Sequence, residues 1–368
     1  MEDVLFIFRE VRDPRDYTAR HDCASMLFVA LMATLCGAKS CVDIADFCAS
    51  NLTTLSEIVD LDHGAPSHDS FSRLFRLLDP DEMARAFKAF AQALRSALGL
   101  GRARGVIAVD GKRLRGGYER GRSHMPALMI SVWDAETRLS LAARASGDGN
   151  ETAATIEALR SLDLKGCTVT ADALNCHPAV AETIVERRGH YALKLKGNNG
   201  PLFALAQEAH AKADAAGRAG AYETLEKGHD RVERRRASIV AAPEAARQRL
   251  PRLQCLGRIE SERSDSRGTG NTKVYYVALS KKVSARRLME INRDHWDVEN
   301  GLHRPLDVVF HEDDARSRKD HAPQNLSFIR RMALDILKSH PDPRSPARKM
   351  NLAAWDKQFF FELFTHMQ

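Results

Sequence analysis

The order of strand-like and helix-like runs beyond residue 105 does most to limit the fold. VIAVDG (Val106 to Gly111) is a short apolar strand ending in an aspartate and a glycine. ALMISVWDAETRLSLAARAS reads as two strands joined by a turn at Asp134-Ala135-Glu136-Thr137. NETAATIEALRSLDL has the pattern of a capped amphipathic helix, and CTVTADA (Cys167 to Ala173) is a second strand that ends in an aspartate. PAVAETIVERRG is then a helix and HYALKLKG a strand. Two or three strands followed by helix, strand, helix, strand predicts a mixed α/β sheet.

The flanking segments have a different texture. Residues 1–100 read as a helical domain with DNA binding as one role: the apolar run ASMLFVALMATLCGA (Ala24 to Ala38), DIADFCASN, and PSHDSFSRLFRLLDPDEMARAFKAFAQALRSALGL. Phe71, Leu74, Phe75 and Leu78 follow the helical period, with Asp69 or Ser70 as the expected cap and a break at Asp79-Pro80. GLGRARG, Gly99 to Gly105, is the first boundary, and residues 101–200 form the first part of the sheet region. Residues 201–284 read as a largely β insertion carrying HDRVERRRASIV, LQCLGRIESER and KVYYVALS. Residues 285–340 return to helix, with Pro305 expected to end or kink it, and 341–368 form a basic linker and an apolar docking segment.

Charge and cysteine usage exclude little but point one way. Lys and Arg total 55 against 49 Asp and Glu, an excess of six that permits a polyanionic partner. The seven cysteines show no paired CxxC, which predicts reduced, buried thiols in a cytoplasmic protein. MEDVLFIFREVRD breaks its apolar run with charge, so it does not read as a signal peptide. The Ala24 to Ala38 run is shorter than the ~20 residues a bilayer needs, so it is expected to be a core helix, with no membrane partner. No GxxxxGK[ST] stands in the chain, which removes support for a nucleotide cofactor, and no Ser or Cys nucleophile has a partnered base.

The chemistry concentrates in three places. Asp110 and Asp172 each close a strand, and in open α/β sheets functional groups gather beyond the strands' carboxyl ends. If the strands are neighbours the two carboxylates converge, and Mg²⁺ is the hard cation that suits them. Glu299 sits at the centre of HWDVENGLH, four residues from His295 on one side and His303 on the other. On a helix those three share a face. A metal site, a catalytic acid and a solvated helix face can all be written this way. As a third carboxylate, Glu299 would complete a site for two ions about 4 Å apart.

Taken in order, these motifs resemble the DDE transposases of bacterial insertion sequences, in the H-repeat-associated (ISAs-type) branch. The resemblance runs from CGAKSCVDIADF and GAPSHDSFSRLFRLLDP through IAVDGKRLRG, LKGCTVTADALNCH and YALKLKGNNG. It continues through HWDVENGLHRPLDVVFHEDDARSRKDHAPQNLSFIRRMALDILK to AAWDKQFF. It implies a ribonuclease H-like core split by a β-rich insertion before the last catalytic helix. It also implies a catalytic, metal-binding triad of Asp110, Asp172 and Glu299. Two Mg²⁺ ions, with Mn²⁺ as a substitute, would serve cleavage at transposon ends and strand transfer into target DNA by a dimer assembled on DNA. The chain departs from the pattern at Asn175 and His177, where the family has glycine and glutamine. It departs again at Asn292, His295 and Leu306, where related transposases have tyrosine, arginine and lysine.

Several residues are expected along a DNA path: Lys112, Arg113 and Arg115 after the first aspartate, Lys194 and Lys196 after the second, and Arg316, Arg318 and Lys319 after the glutamate helix. His295 is expected to donate to phosphate, His303 to pack or touch phosphate weakly, and Trp296 to anchor the core. Two other readings share the sequence: a metal-dependent nuclease that no longer transposes, and a DNA-binding remnant with an inactive site.

Overall fold

A computed structural model of the chain describes residues 1–117, 126–146, 149–217, 220–228, 231–265 and 270–365. The first two residues of the HDRVERRRASIV stretch, and the last three of the chain, lie outside the described residues. The helices of the first hundred residues are α1 (Glu2–Arg9), α2 (Cys23–Leu35), α3 (Cys41–Ser50), α4 (Leu52–Ser56), α5 (His68–Leu77) and α6 (Pro80–Ala97). Every residue of α2 is buried, as its uninterrupted apolar sequence predicts. Ser67, rather than Asp69 or Ser70, caps α5 by accepting from the Ser70 amide at 3.2 Å. Asp79 caps α6 with Pro80 in its first turn, so the Asp-Pro pair ends one helix by starting the next.

The sheet begins with β1 (Gly105–Arg113), β2 (Leu128–Asp134) and β3 (Leu139–Ser146), followed by α7 (Glu151–Arg160), β4 (Cys167–Ala171), α8 (Pro178–Glu186) and β5 (His190–Leu195). The segment beyond carries α9 (Gly200–Ala215), β6 (Ala221–Gly228), β7 (Arg231–Ala241), α10 (Glu244–Arg247), β8 (Cys255–Asp265) and β9 (Gly270–Leu279). The chain then forms α11 (Ala285–Val298), α12 (Arg304–Val308), α13 (Ala322–Ser339), α14 (Pro346–Trp355) and α15 (Lys357–Thr365). Strand order is β3-β2-β1-β4-β5-β9-β8-β7-β6. β1, β2 and β3 form an antiparallel meander, while β4 and β5 run parallel to β1. That order and polarity is the five-stranded core of a ribonuclease H-like fold.

The β-rich insertion does not form a sheet of its own. β9 pairs antiparallel with β5, from Ala192 opposite Leu279 to Leu195 opposite Tyr276, and so covers an edge that would otherwise expose unpaired backbone. β8, β7 and β6 follow outward. Their charges are matched across strands, as with Arg234 opposite Glu262 and Arg236 opposite Glu260, which suits the face that these strands turn to solvent.

Alternation along β1 sorts its side chains between two cores. Ile107 and Val109 enter a core shared with α7, α8 and α9. Ala108 points the other way, into a core with Met129, Trp133, the N-terminal helices and α13. Within α13 every residue from Asn325 to Leu337 is buried, so this helix is the central beam between the sheet and α2. No helix among the described residues is long and apolar enough to cross a membrane.

Candidate active site

Asp110 lies on the α11 side of β1, one alternation beyond Ala108. β1 and β4 are hydrogen-bonded parallel neighbours whose register runs from Gly105 opposite Cys167 to Val109 opposite Ala171. One residue further brings Asp110 level with Asp172, so their carboxylates face the same helix about one strand spacing apart. The neighbour relation that the sequence left conditional is therefore met.

Glu299 reaches them from a break in helical geometry. From Glu299 to His303 the backbone widens into a π turn, in which the amide of Arg304 bonds the Glu299 carbonyl five residues back. Pro305 does not end the helix; α12 continues through it to Val308. Having no N–H, Pro305 cannot satisfy the Gly301 carbonyl, and the ammonium of Lys338 on α13 takes over that role at 3.0 Å. Gly301 lies flat on Trp133, where a Cβ would come within 2.8 Å of the ring. The Trp133 indole donates to Asp297 at 3.1 Å, and Lys338 sits 4.0 Å over its ring.

The two histidines of HWDVENGLH end up beside different aspartates. His303 is buried, with Nδ1 3.3 Å from Asp110 Oδ2 and 3.4 Å from Glu299 Oε2. Donor atoms of Asp110, Glu299 and His303 all lie within 4.8 Å of one another. His295, also buried, places Nε2 3.7 Å from Asp172 Oδ1 and Nδ1 2.9 Å from the Thr170 hydroxyl. Lys194 from β5 bonds the same Asp172 oxygen at 3.0 Å.

This arrangement separates the carboxylates electrostatically. Burial pushes the Asp110 carboxyl up to about 7, reinforced by Glu299 and Asp172 and opposed by His303. His295, with Lys194, holds Asp172 well below the usual carboxylate range. The hydrogen bond from His303 draws Glu299 down. Burial lowers the pKa of His295, with the hydrogen bond to Asp172 opposing.

The expected basic residues divide by exposure. Lys112 is not on an open path. Its side chain is only 8% exposed, and its ammonium is held by Asp313 at 2.7 Å, Asp307 at 2.8 Å and Glu312 at 3.4 Å. Alternation explains this: Lys112 follows Asp110 on the same face and runs under the 307–313 segment. Arg113, Arg115, Lys196, Arg316 and Lys319 are exposed, whereas Arg318 is partly buried and donates to the Gly116 carbonyl at 3.0 Å. Lys194 belongs to Asp172, and His295 lies beneath the surface rather than on it.

Three features were not anticipated. Trp296 is not a core anchor: it is 51% exposed, with the Lys194 ammonium 4.8 Å from its ring centroid. Glu151, at the start of α7, adds a fourth carboxylate, accepting from Asn175 Nδ2 at 2.8 Å and lying against Gly111. Burial, with the charge of Asp172 as a further contribution, raises its pKa. His303 stands between two carboxylates rather than in plain packing; its spacing four residues beyond Glu299 was the available signal.

Known proteins are similar to this chain over most of its length. Residues 101–336 match the family described as Transposase DDE domain, and residues 5–91 match the one described as DDE_Tnp_1-associated. The H repeat-associated putative transposase YhhI of Escherichia coli K12 is 28% identical over 358 residues, covering 93% of this chain and 92% of that protein. An uncharacterized protein in the dhlA 3' region of Xanthobacter autotrophicus is 34% identical over 264 residues, covering 70% of this chain and 87% of its own length. A piggyBac transposase synaptic complex with hairpin DNA aligns at a TM-score of 0.42 and 11% identity, covering all of this chain and 77% of that one. That likeness is loose, and the fold assignment rests on strand order instead.

Proposed function

Since the chain belongs to the Transposase DDE domain family, we propose that it cleaves DNA at insertion-sequence ends and transfers the strand into target DNA, using Asp110, Asp172 and Glu299 to hold two Mg²⁺ ions, with Mn²⁺ as a substitute. The supporting observation is the convergence of three carboxylates, from β1, the end of β4 and the π turn after α11, on one face of the sheet. Hard oxygen donors suit Mg²⁺. Asp110 fits such a role because its carboxyl is pushed up to about 7 by burial, with Glu299 and Asp172 adding to the shift, a field that a cation relieves. When bound, the ions supply activation of a water or hydroxyl and stabilisation of the leaving oxygen.

The chain's own residues set the stage. Lys194 and His295 both approach Oδ1 of Asp172, which fixes that carboxylate and leaves Oδ2 for a cation. Trp296, Leu174 and Val308 are exposed apolar groups on segments adjoining the carboxylates, suited to sugar and base surfaces. Arg113, Arg115, Lys196, Arg316 and Lys319 offer cations to backbone phosphates of double-stranded DNA. Two ends must be processed together, so a homodimer on DNA is part of this reading.

The decisive experiment is a cleavage and strand-transfer assay on the element's own ends, with Mg²⁺ and with chelator. Asp110→Asn, Asp172→Asn and Glu299→Gln should each lower cleavage by at least roughly 10²–10³-fold while DNA binding persists. Full cleavage by any of the three removes that residue from the site. Metal-dependent cleavage without strand transfer would favour a nuclease, and DNA binding without cleavage would favour an inactive remnant.

A further inference from the structure

We infer that His303 is a third protein ligand at the cation position between Asp110 and Glu299, which makes that position a mixed oxygen and nitrogen site favouring Mn²⁺ over Mg²⁺. The inference rests on the reading of Asp110 and Glu299 as cation ligands and adds a residue to it. Its geometric basis is the position of Nδ1, 3.3 Å from Asp110 Oδ2 and 3.4 Å from Glu299 Oε2. Adjacent ligands on an octahedral ion with bonds of about 2.1 Å stand about 3 Å apart, so these separations need only a small contraction around an ion. The three donor atoms span no more than 4.8 Å, close to the separation of opposite ligands on the same ion.

A second observation concerns the other side of the ring. His303 is 6% exposed, and its buried Nε2 has no hydrogen-bond partner among the described residues. Buried imidazole nitrogens are normally bonded. All the polar anchoring of this ring therefore lies at the Asp110–Glu299 side. The π turn contributes as well, because it carries Glu299 and His303 together over Asp110.

The two cation positions are then chemically distinct. At Asp172 the fold supplies Lys194 and His295 against Oδ1. At Asp110 and Glu299 it supplies only an imidazole among the contacts above. Imidazole binds first-row transition metals better than it binds Mg²⁺, which prefers an all-oxygen shell.

Mn²⁺ is the probe, used with the full chain and no DNA. Pulsed electron paramagnetic resonance of the Mn²⁺-loaded protein should show ¹⁴N modulation from a coordinated imidazole. Growth on [¹⁵N]histidine should convert it to a ¹⁵N pattern. His303→Gln should remove the modulation and weaken Mn²⁺ binding by ~10-fold or more, with a smaller change for Mg²⁺, while His295→Gln keeps it. Asp110→Asn should remove Mn²⁺ binding at this position altogether. Asp110-dependent binding without ¹⁴N modulation would overturn the inference and leave the carboxylate reading intact. So would modulation that survives His303→Gln and disappears in His295→Gln. Mn²⁺ binding indifferent to Asp110→Asn would overturn the carboxylate reading itself. Should His303→Gln fail to fold, isotope conversion in the wild-type chain together with retention in His295→Gln still assigns the nitrogen.

Discussion

Lys194 shows how a single side chain can be misplaced by reading charge alone. It is a cation next to a presumed DNA path, yet its ammonium is bound to Asp172 at 3.0 Å and lies over Trp296. Its expected role is to fix a carboxylate, so Lys194→Met should reduce cleavage more than it reduces DNA affinity. The check is a comparison of cleavage rate at saturating DNA with the DNA dissociation constant. A loss confined to affinity would return Lys194 to the phosphate contacts. Asp335 gives a residue-scale test of burial. This fully buried carboxyl is raised to about 6 by desolvation, with Lys338 opposing. A carboxyl raised in the folded state stabilises the fold below its unfolded pKa, and that contribution is lost as pH rises through about 4 to 6. Relative to wild type, Asp335→Asn should therefore gain roughly 1–3 kcal/mol between pH 4 and pH 7. Urea unfolding at the two pH values measures the difference, and an equal effect at both would contradict it.

Elements matter most at the π turn. A regular helix through 299–303 would give the i to i+4 column that the sequence suggests. The observed widening is tied to three contacts outside the helix: Gly301 on Trp133, Lys338 on the Gly301 carbonyl, and Trp133 on Asp297. Gly301→Ala would press a methyl into the indole, so it should lower stability by about 1–3 kcal/mol. Because the turn carries Glu299 and His303, the same substitution should weaken Mn²⁺ binding. Denaturant unfolding and metal titration of the one variant check both, and unchanged metal affinity would separate the turn from the site. Sequence could locate this helix and flag Pro305. It could not show that the chain continues through Pro305, because the donor that satisfies the Gly301 carbonyl, Lys338, is 37 positions beyond that glycine.

For the whole molecule, the buried polar network under the 307–313 segment links β1 to α13. Lys112 meets Asp307, Glu312 and Asp313, and fully buried Glu312 pairs with Arg331 at 3.2 Å and accepts from Ser327 at 2.6 Å. Arg331 also reaches Ser131, the residue paired with Asp110 across β1 and β2. Removing one member leaves buried charge uncompensated, so Lys112→Met should destabilise the fold by about 3–5 kcal/mol. A thermal or urea unfolding curve tests this, and a stability loss under 1 kcal/mol with weakened DNA binding would restore Lys112 to the DNA path. Exposed Arg316 should behave in the opposite way. Arg316→Ala should leave stability within about 0.5 kcal/mol and reduce the salt dependence of DNA binding by about one unit of slope.

Local pattern was enough to determine a good deal. Strand and helix order beyond residue 105, the buried helix at Cys23–Leu35 and the place of Asp172 just past β4 follow from patterns over a few residues. Asp110, read from the sequence as closing its strand, lies inside β1, which runs on to Arg113 because β2 stays paired with it. Other features depend on which distant segments meet, and only the tertiary structure decided them. The insertion joins the core sheet because β5 has an edge and β9 arrives to cover it. Lys112 and Arg113 are neighbours in sequence with the same charge, yet one is locked under a loop and the other is exposed, because alternation sends them to opposite faces. His295 and His303 looked like one column beside Glu299. The fold places one against Asp172 and the other between Asp110 and Glu299, because two strands and a widened helical turn cross at that point.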